Sequence, residues 1–317
     1  MILLTGGTGF VGEALLKALS DRSIKCLGRN KPLSIINSLF HLSDINASVD
    51  FTKALKNVNF IIHCAARVHV MDDESHNPLN SYREVNTAGT LNLARQAVEA
   101  GVKRFIFVSS IKVNGESTKL NASFKSTDIR QPEDFYGQSK SEAEEQLLEL
   151  AEETGLEVVI IRPTLVYGPG VKANFASLMN LVSKGLPLPF GSITDNKRSL
   201  VSVHNLVDLI ITCIDHPKAA NQVFLVSDDH DVSTSKMVRE MAKSLNKPQW
   251  QLPIPKWCFR LAGSVFGKQD VVDRLLGSLQ VDITHTKETL GWKPPQTLQE
   301  GFKETAEAFL LNKENKK

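Results

Sequence analysis

Ile2-Leu-Leu-Thr-Gly-Gly-Thr-Gly-Phe-Val-Gly12 is the stretch on which the fold turns. A short apolar run of strand length stops at Thr5, and glycines at positions 6, 9 and 12 then open a helix-period segment. Glycine lets the backbone turn tightly and approach a pyrophosphate, whose charge then sits on the free N–H groups at the helix start. A glycine triplet alone is weak evidence, because glycine-rich turns are common. Here it has a strand before it and a helix after it, in the first βαβ unit. The expectation is a dinucleotide site built from Gly6, Gly9, Phe10, Val11 and Gly12.

Working outward, strand-length runs alternate with helix-period segments throughout the first half. The runs are Ile2 to Thr5, Ile24 to Leu27, Asn59 to Cys64, Arg104 to Ser109 and Glu157 to Arg162. The helical segments between them include Gly12 to Ser20, Leu79 to Ala100 and Tyr136 to Thr154. Repeated βαβ units imply a parallel sheet with helices on both faces, and Phe105-Ile-Phe-Val108 and Val158-Val-Ile-Ile161 read as strands buried on both sides. After Pro163 the rhythm breaks into Gly- and Pro-punctuated pieces. The expected architecture is α/β, a Rossmann doubly wound parallel sheet with a smaller, mixed C-terminal substrate domain. Residues 1–165 with 200–226 form the dinucleotide domain, and 166–199 with 227–317 the second.

Composition excludes several classes. The formal net charge is +2, with basic residues spread along the chain, so no nucleic-acid surface is expected. No apolar run reaches the roughly 18 residues of a membrane span, and Met1 leads into a strand with no signal-peptide pattern; a soluble, cytoplasmic protein is expected. Cys26, Cys64, Cys213 and Cys258 lie far apart and read as buried thiols. The loop His69-Val-Met-Asp-Asp-Glu-Ser-His76 has no recognised ligand spacing, so no metal is expected. Lys256-Trp-Cys-Phe-Arg-Leu-Ala-Gly263 has too few basic residues for a membrane-surface helix and reads as a helix packed on the second domain.

At the end of the second strand an acid would accept hydrogen bonds from the adenosine 2′-OH, whereas an arginine accommodates a 2′-phosphate. The chain reads Lys25-Cys-Leu-Gly28-Arg29. This favours NADP(H). NAD(H) is the alternative, with Arg29 only covering the adenine face.

The chain has three tyrosines, and Tyr136 stands four residues before Lys140 in Asp134-Phe-Tyr-Gly-Gln-Ser-Lys140. On a helix this spacing places phenol and ammonium on one face. A nearby cation favours phenolate, so the pair is expected to lower the tyrosine pKa towards the range of a general acid or base. Alcohol–ketone interconversion beside a nicotinamide uses that chemistry.

These residues resemble the extended short-chain dehydrogenase/reductases, in their nucleotide-sugar epimerase, dehydratase and reductase branch. The resemblance rests on Thr5 to Gly12, Asp44-Ile45, His63-Cys-Ala-Ala66, Asn86-Thr-Ala-Gly-Thr90, Val108-Ser-Ser110 and Tyr136-Gly-Gln-Ser-Lys140, together with Arg162-Pro-Thr-Leu-Val-Tyr-Gly-Pro169 and Leu290-Gly-Trp-Lys-Pro294. It implies that Tyr136 exchanges a proton at the substrate oxygen. Lys140 would hold the nicotinamide ribose and tune Tyr136, and Ser110, or its neighbour Ser109, would hydrogen-bond the reacting carbonyl. Asn86 would hold the central helix. Asp44 and Ile45 would meet the adenine, and Ala65, Ala66, Val108 and Pro163 would border the cofactor. For the substrate it implies a UDP-sugar held by Asn174 and Arg198, with Arg274 and Arg67 as further contacts, since arginine forms bidentate bonds to a diphosphate. A homodimer stands as an expectation.

Ile111-Lys112 replaces the Asp-Glu pair of dehydratases, which argues against dehydration. Leu165 and Asn114 depart from residues common in UDP-hexose 4-epimerases. The combination Ser109-Ser-Ile-Lys-Val-Asn-Gly115, Val171-Lys-Ala-Asn-Phe175 and Leu186-Pro-Leu-Pro-Phe-Gly191 resembles bacterial reductases of UDP-4-keto-6-deoxy-N-acetylhexosamines, used for surface polysaccharide. Reduction with NADPH is therefore the first expectation and 4-epimerisation with retained NAD the alternative. A non-catalytic NADP-binding scaffold and a reductase of a steroid-like alcohol are the remote ones.

Overall fold

The computed structural model describes residues 1–36, 39–68 and 77–314, leaving aside the side chains of Ala173 and Asn174. The loop His69 to His76 thus lies outside the described residues. The chain begins β1 (Ile2–Thr5), α1 (Phe10–Ala18), β2 (Ile24–Gly28), β3 (Phe40–Leu42), α2 (Thr52–Leu55), β4 (Phe60–His63), α3 (Pro78–Arg83). After a π-helical turn at Glu84–Gly89 come α4 (Thr90–Glu99), β5 (Arg104–Val108), a 3-10 turn at Ile111–Val113, α5 (Phe135–Thr154), β6 (Glu157–Pro163) and β7 (Leu165–Tyr167). The remainder is α6 (Ala173–Ser183), β8 (Leu200–Ser202), α7 (Val203–Asp215), β9 (Gln222–Val226), α8 (Thr234–Ser244), α9 (Lys256–Val265), α10 (Gln269–Leu276), α11 (Thr284–Leu290) and α12 (Leu298–Glu314).

Seven strands form one parallel sheet in the order β3-β2-β1-β4-β5-β6-β9. Strand order reverses between β1 and β4, where Thr5 pairs with His63, and open α/β sheets bind ligands at the crevice beyond such a reversal. Period-2 alternation builds both faces. Ile106 and Val108 of β5 with Val159 and Ile161 of β6 pack under α1 and α7. Phe105, Phe107, Val158 and Ile160 face the other way, under α4 and α5.

A third core holds Tyr167, Phe175, Met179, Phe190, Leu200, Val238 and Phe302, drawn from β7, β8, α6, α8 and α12. β7 and β8 pair as a separate two-stranded sheet. Here Tyr167 is structural: its hydroxyl donates to Asp228 (2.7 Å), which also accepts from Asn205 (2.7 Å) and the Ser202 N–H (2.8 Å). Trp292 of the Leu290-Gly-Trp motif likewise packs against the sheet's core and donates Nε1–H to Asp208 (2.6 Å).

α9 packs on the third core as expected, but through one face only. Phe259 packs on the third core, stacked on Phe190, and Gly263 meets Val272 of α10. Yet Trp257 is 65% exposed, and Leu261, Val265 and Phe266 are exposed too. Only one side of the helix is packed, and the apolar side chains beyond it share the exposed surface with Arg260. Of the four cysteines, Cys26 and Cys213 are buried and Cys64 and Cys258 half-buried, and burial pushes Cys26, Cys64 and Cys213 up to about 12. Among the described residues there is no cluster of metal-ligating side chains and no helix long and apolar enough to cross a membrane.

Candidate active site

The glycine loop lies at the strand-order reversal. Gly9 N–H donates to Gly6 O (2.9 Å), which tightens the turn into α1. A Cβ on Gly12 would lie 2.1 Å from Gly6 O, so only glycine lets helix and loop approach this closely. Gly9 is the extended N-cap of α1, and no described side chain caps that first turn. Uncapped N–H groups at a helix start suit an anionic group, so the loop fits a dinucleotide pyrophosphate. Ala65 follows β4 beside the loop, donating its N–H to Thr5 Oγ1 (3.2 Å). Ala66 is half-buried and Ile45 and Pro163 are buried.

Arg29, at the end of β2, is 82% exposed on its side chain, with its guanidinium 4.0 Å from the Asp44 carboxylate. A 2′-phosphate at Arg29 would therefore also meet Asp44. This weakens the charge argument for NADP(H).

Asp134 caps α5, accepting the Gly137 N–H (2.6 Å), and Tyr136 stands in that first turn. Lys140, one turn on, is buried; its ammonium donates to Val108 O (3.0 Å) and lies 4.2 Å from the centre of the Phe107 ring. Burial pulls Lys140 down to about 8, against the opposing pull of Cys64 and Glu144. Tyr136 departs from expectation. Burial, then the carboxylate of Asp134 and the phenol of Tyr82, push its acidity away from neutral pH. The Tyr82 ring is edge-on, 6.5 Å away, while the ammonium expected to favour phenolate is engaged by the Val108 carbonyl. Tyr136 as a whole residue is nonetheless half-buried.

Asn86 is fully buried in the π-helical turn. Its Oδ1 accepts Arg67 N–H (2.8 Å), and its Nδ2 donates to Arg67 O (3.0 Å) and Ser139 Oγ (3.0 Å). Ser139 in turn donates to Tyr136 O (2.8 Å). The network fixes the turn that carries Tyr136. π-turns of this kind recur at functional sites.

The two serines separate. Ser109 is buried, and its hydroxyl donates to Glu144 (2.5 Å), which is also gripped by Arg162 through Nε (3.0 Å) and Nη2 (2.5 Å). Ser110 is half-buried and its Oγ accepts the Lys112 N–H (3.2 Å), leaving the hydroxyl proton available. Asn114 accepts from Arg162 (2.9 Å) and donates to Lys125 O (3.2 Å), so its departure from the epimerase pattern is a packing feature. His63, below the Tyr–Lys pair, bonds the hydroxyls of Thr5 (2.8 Å) and Thr90 (2.9 Å), and burial and then Lys140 hold it down to about 3.

Arg198 and Arg274 come together. Arg198 Nη1 donates to Arg274 O (2.9 Å), and burial, followed by the Arg274 charge, lowers the Arg198 pKa. Arg274 Nη2 lies 3.9 Å from Glu116. Two neighbouring guanidiniums of this kind fit a diphosphate. Arg67 is instead on the tyrosine side, 5.9 Å from the Tyr82 ring centre; the Asn174 side chain lies outside the described residues. Sequence reasoning missed Asp134, Lys112 and Glu116. Asp134, an N-cap residue type just ahead of Tyr136, was the readable signal. A groove of about 740 Å³ between α1, α7 and the loop after β7 is lined by neither Tyr136 nor Lys140.

Residues 2–227 match the NAD dependent epimerase/dehydratase family, and that span covers the glycine loop, the Tyr–Lys helix start and Arg198. The chain belongs to this family. A UDP-glucose 4-epimerase of Vibrio cholerae is 69% identical over 98% of this chain and 95% of its own length. A family relative of Escherichia coli O157:H7, N-acetyl-alpha-D-glucosaminyl-diphospho-ditrans,octacis-undecaprenol 4-epimerase, is 30% identical over 96% and 93%. The UDP-glucose 4-epimerase of Thermotoga maritima, solved with UDP-glucose, shares the family fold: TM-score 0.76, 24% identity, 98% of this chain and 99% of that one.

Proposed function

We propose that the protein is a nucleotide-sugar 4-epimerase that works on a retained NAD. The observation that carries this is a half-buried tyrosine, Tyr136, one turn from a buried ammonium, Lys140, with the hydroxyl proton of Ser110 available close in sequence to the turn that meets α5. When bound, the nicotinamide supplies reversible hydride exchange at C4 of the sugar. Tyr136 takes the proton of the 4-hydroxyl and returns it, and Ser110 donates a hydrogen bond to the same oxygen. Lys140 holds the nicotinamide ribose and lends Tyr136 its positive field, and Asn86 keeps the helix turn in place through Ser139. Asp44 and Ile45 border the adenine. Arg198 and Arg274 hold the diphosphate, with Asn174 of α6 as the third contact.

Epimerisation is preferred to reduction on two grounds. The Vibrio relative bears an epimerase name, and Arg29, on which NADPH use rested, shares its position with Asp44. The two relatives of highest identity named above carry 4-epimerase names, for a UDP-sugar and for a sugar on a diphospho-linked lipid, and a diphosphate is the group the two arginines suit. Reduction of a 4-keto sugar remains the second reading, supported by Leu165 at the exposed start of β7. The test is purified protein denatured to release its nicotinamide, and native protein incubated with UDP-glucose or UDP-N-acetylglucosamine. Released NAD and interconversion with the galacto epimer are expected. Stoichiometric oxidation of NADPH by a UDP-4-keto-6-deoxy-N-acetylhexosamine, with no interconversion, would overturn the reading.

A further inference from the structure

Lys112, in the 3-10 turn after Ser110, joins two acidic residues of separate segments. Its ammonium pairs with Glu116 (2.7 Å) on one side and with the Asp134 carboxylate on the other. Glu116 turns its other oxygen to Arg274, and Asp134 turns its other oxygen to the Gly137 N–H. The Lys112 backbone takes part as well: a Cβ on Gly137 would lie 2.7 Å from Lys112 O, so the 3-10 turn is seated directly on the start of α5. All three ion-pair partners are about three-quarters buried, enough to reduce solvent screening below that of a surface pair.

We propose that Lys112 is a positioning residue that couples the Arg274 end of the site to Tyr136, by holding Asp134 on the first turn of α5 and sharing with Arg274 the charge of Glu116. The inference rests on the function proposed above. The charged and titratable groups around Tyr136 are Asp134 and Lys140 near or on its own helix, Tyr82 on α3, and Arg67 after β4, which lies against Tyr82. Of these Asp134 is the anion that opposes phenolate, and Lys112 is its cation. Without the ammonium, more of the Asp134 charge acts on Tyr136. Glu116, released from Lys112, competes with a diphosphate for Arg274.

The test is the pH profile of kcat and the KM for a UDP-hexose in Lys112→Met, Lys112→Arg, Asp134→Asn and the doubles. In Lys112→Met the limb that reports Tyr136 should move to higher pH by roughly 0.5 to 1 unit, and KM should rise about threefold to tenfold. Lys112→Arg should restore both. In an Asp134→Asn background, which keeps the cap acceptor without its charge, the Lys112→Met limb shift should vanish; adding Glu116→Gln should restore KM. The phenolate absorbance of the NAD-loaded protein, taken as the difference from Tyr136→Phe among only three tyrosines, should follow the same order without any turnover. That readout separates this inference from the epimerase reading, since it holds whatever the sugar. A limb and absorbance unmoved in Lys112→Met, or a shift that persists undiminished with Asp134→Asn, would overturn it.

Discussion

At the residue scale, the phenol of Tyr136 is prepared by position more than by charge. Its own environment disfavours phenolate, so the cationic field of Lys140 and of a bound nicotinamide must act against burial and Asp134. Tyr136→Phe should lower kcat by roughly 10² to 10⁴ with cofactor affinity nearly unchanged, measured by turnover and by NAD titration. Turnover within threefold of wild type would remove Tyr136 from the chemistry. His63 gives a separate, pH-dependent expectation. Its folded pKa, about 3, lies below the unfolded value of 6.5, so the neutral form is favoured by folding. Stability is then unaffected by this group above pH 6.5 and is lost as pH falls towards 3. Denaturant unfolding at pH 7 and pH 5 should show a loss of about 2 kcal/mol in wild type that is absent in His63→Gln. An equal loss in both would mean that other groups govern the acid sensitivity.

At the scale of elements, α5 was readable in the sequence from its helix-period run Tyr136 to Thr154 and the Tyr136–Lys140 spacing; the structure adds the Asp134 cap and Gly155 in the left-handed conformation at its end (φ 74°). β5 and β6 were readable as unbroken apolar runs. The short β7 was not, since three residues carry too little pattern to separate a strand from a loop. The acidity of Tyr136 was misjudged for a related reason. Spacing on a helix tells which side chains share a face, but not that the ammonium would turn to the Val108 carbonyl. One ladder on α5 continues past Lys140 to Glu144, buried against Arg162 and Ser109. Glu144→Ala leaves the Arg162 guanidinium buried without its partner and should destabilise the protein by about 3 to 5 kcal/mol, read by urea unfolding. A loss under about 1 kcal/mol would show that the pair is dispensable.

At the scale of the whole molecule, the sheet reversal at β1 and β4 carries the glycine loop, and Arg198 and Arg274 converge from separate segments beside Glu116. Each arginine could be nominated from its motif, whereas their convergence, with Glu116 between them and Lys112, depends on contacts of long sequence separation. Arg198→Ala should raise KM for the nucleotide sugar much more than it lowers kcat, because a diphosphate contact is present in ground and transition states alike. An unchanged KM would move the anchor to Arg274 alone.

The central claim is that one bound nicotinamide removes and returns the same hydride at C4 while Tyr136 handles the proton. It is tested most directly by giving the purified protein UDP-glucose deuterated at C4 and analysing both epimers at equilibrium. The account predicts UDP-galactose that keeps the label at C4, with no net change at the nicotinamide absorbance band, and no product from Tyr136→Phe beyond the roughly 10²-fold reduced background. Loss of the label to solvent, its appearance in free NADH, or no galacto product at all from the unmutated protein would contradict it.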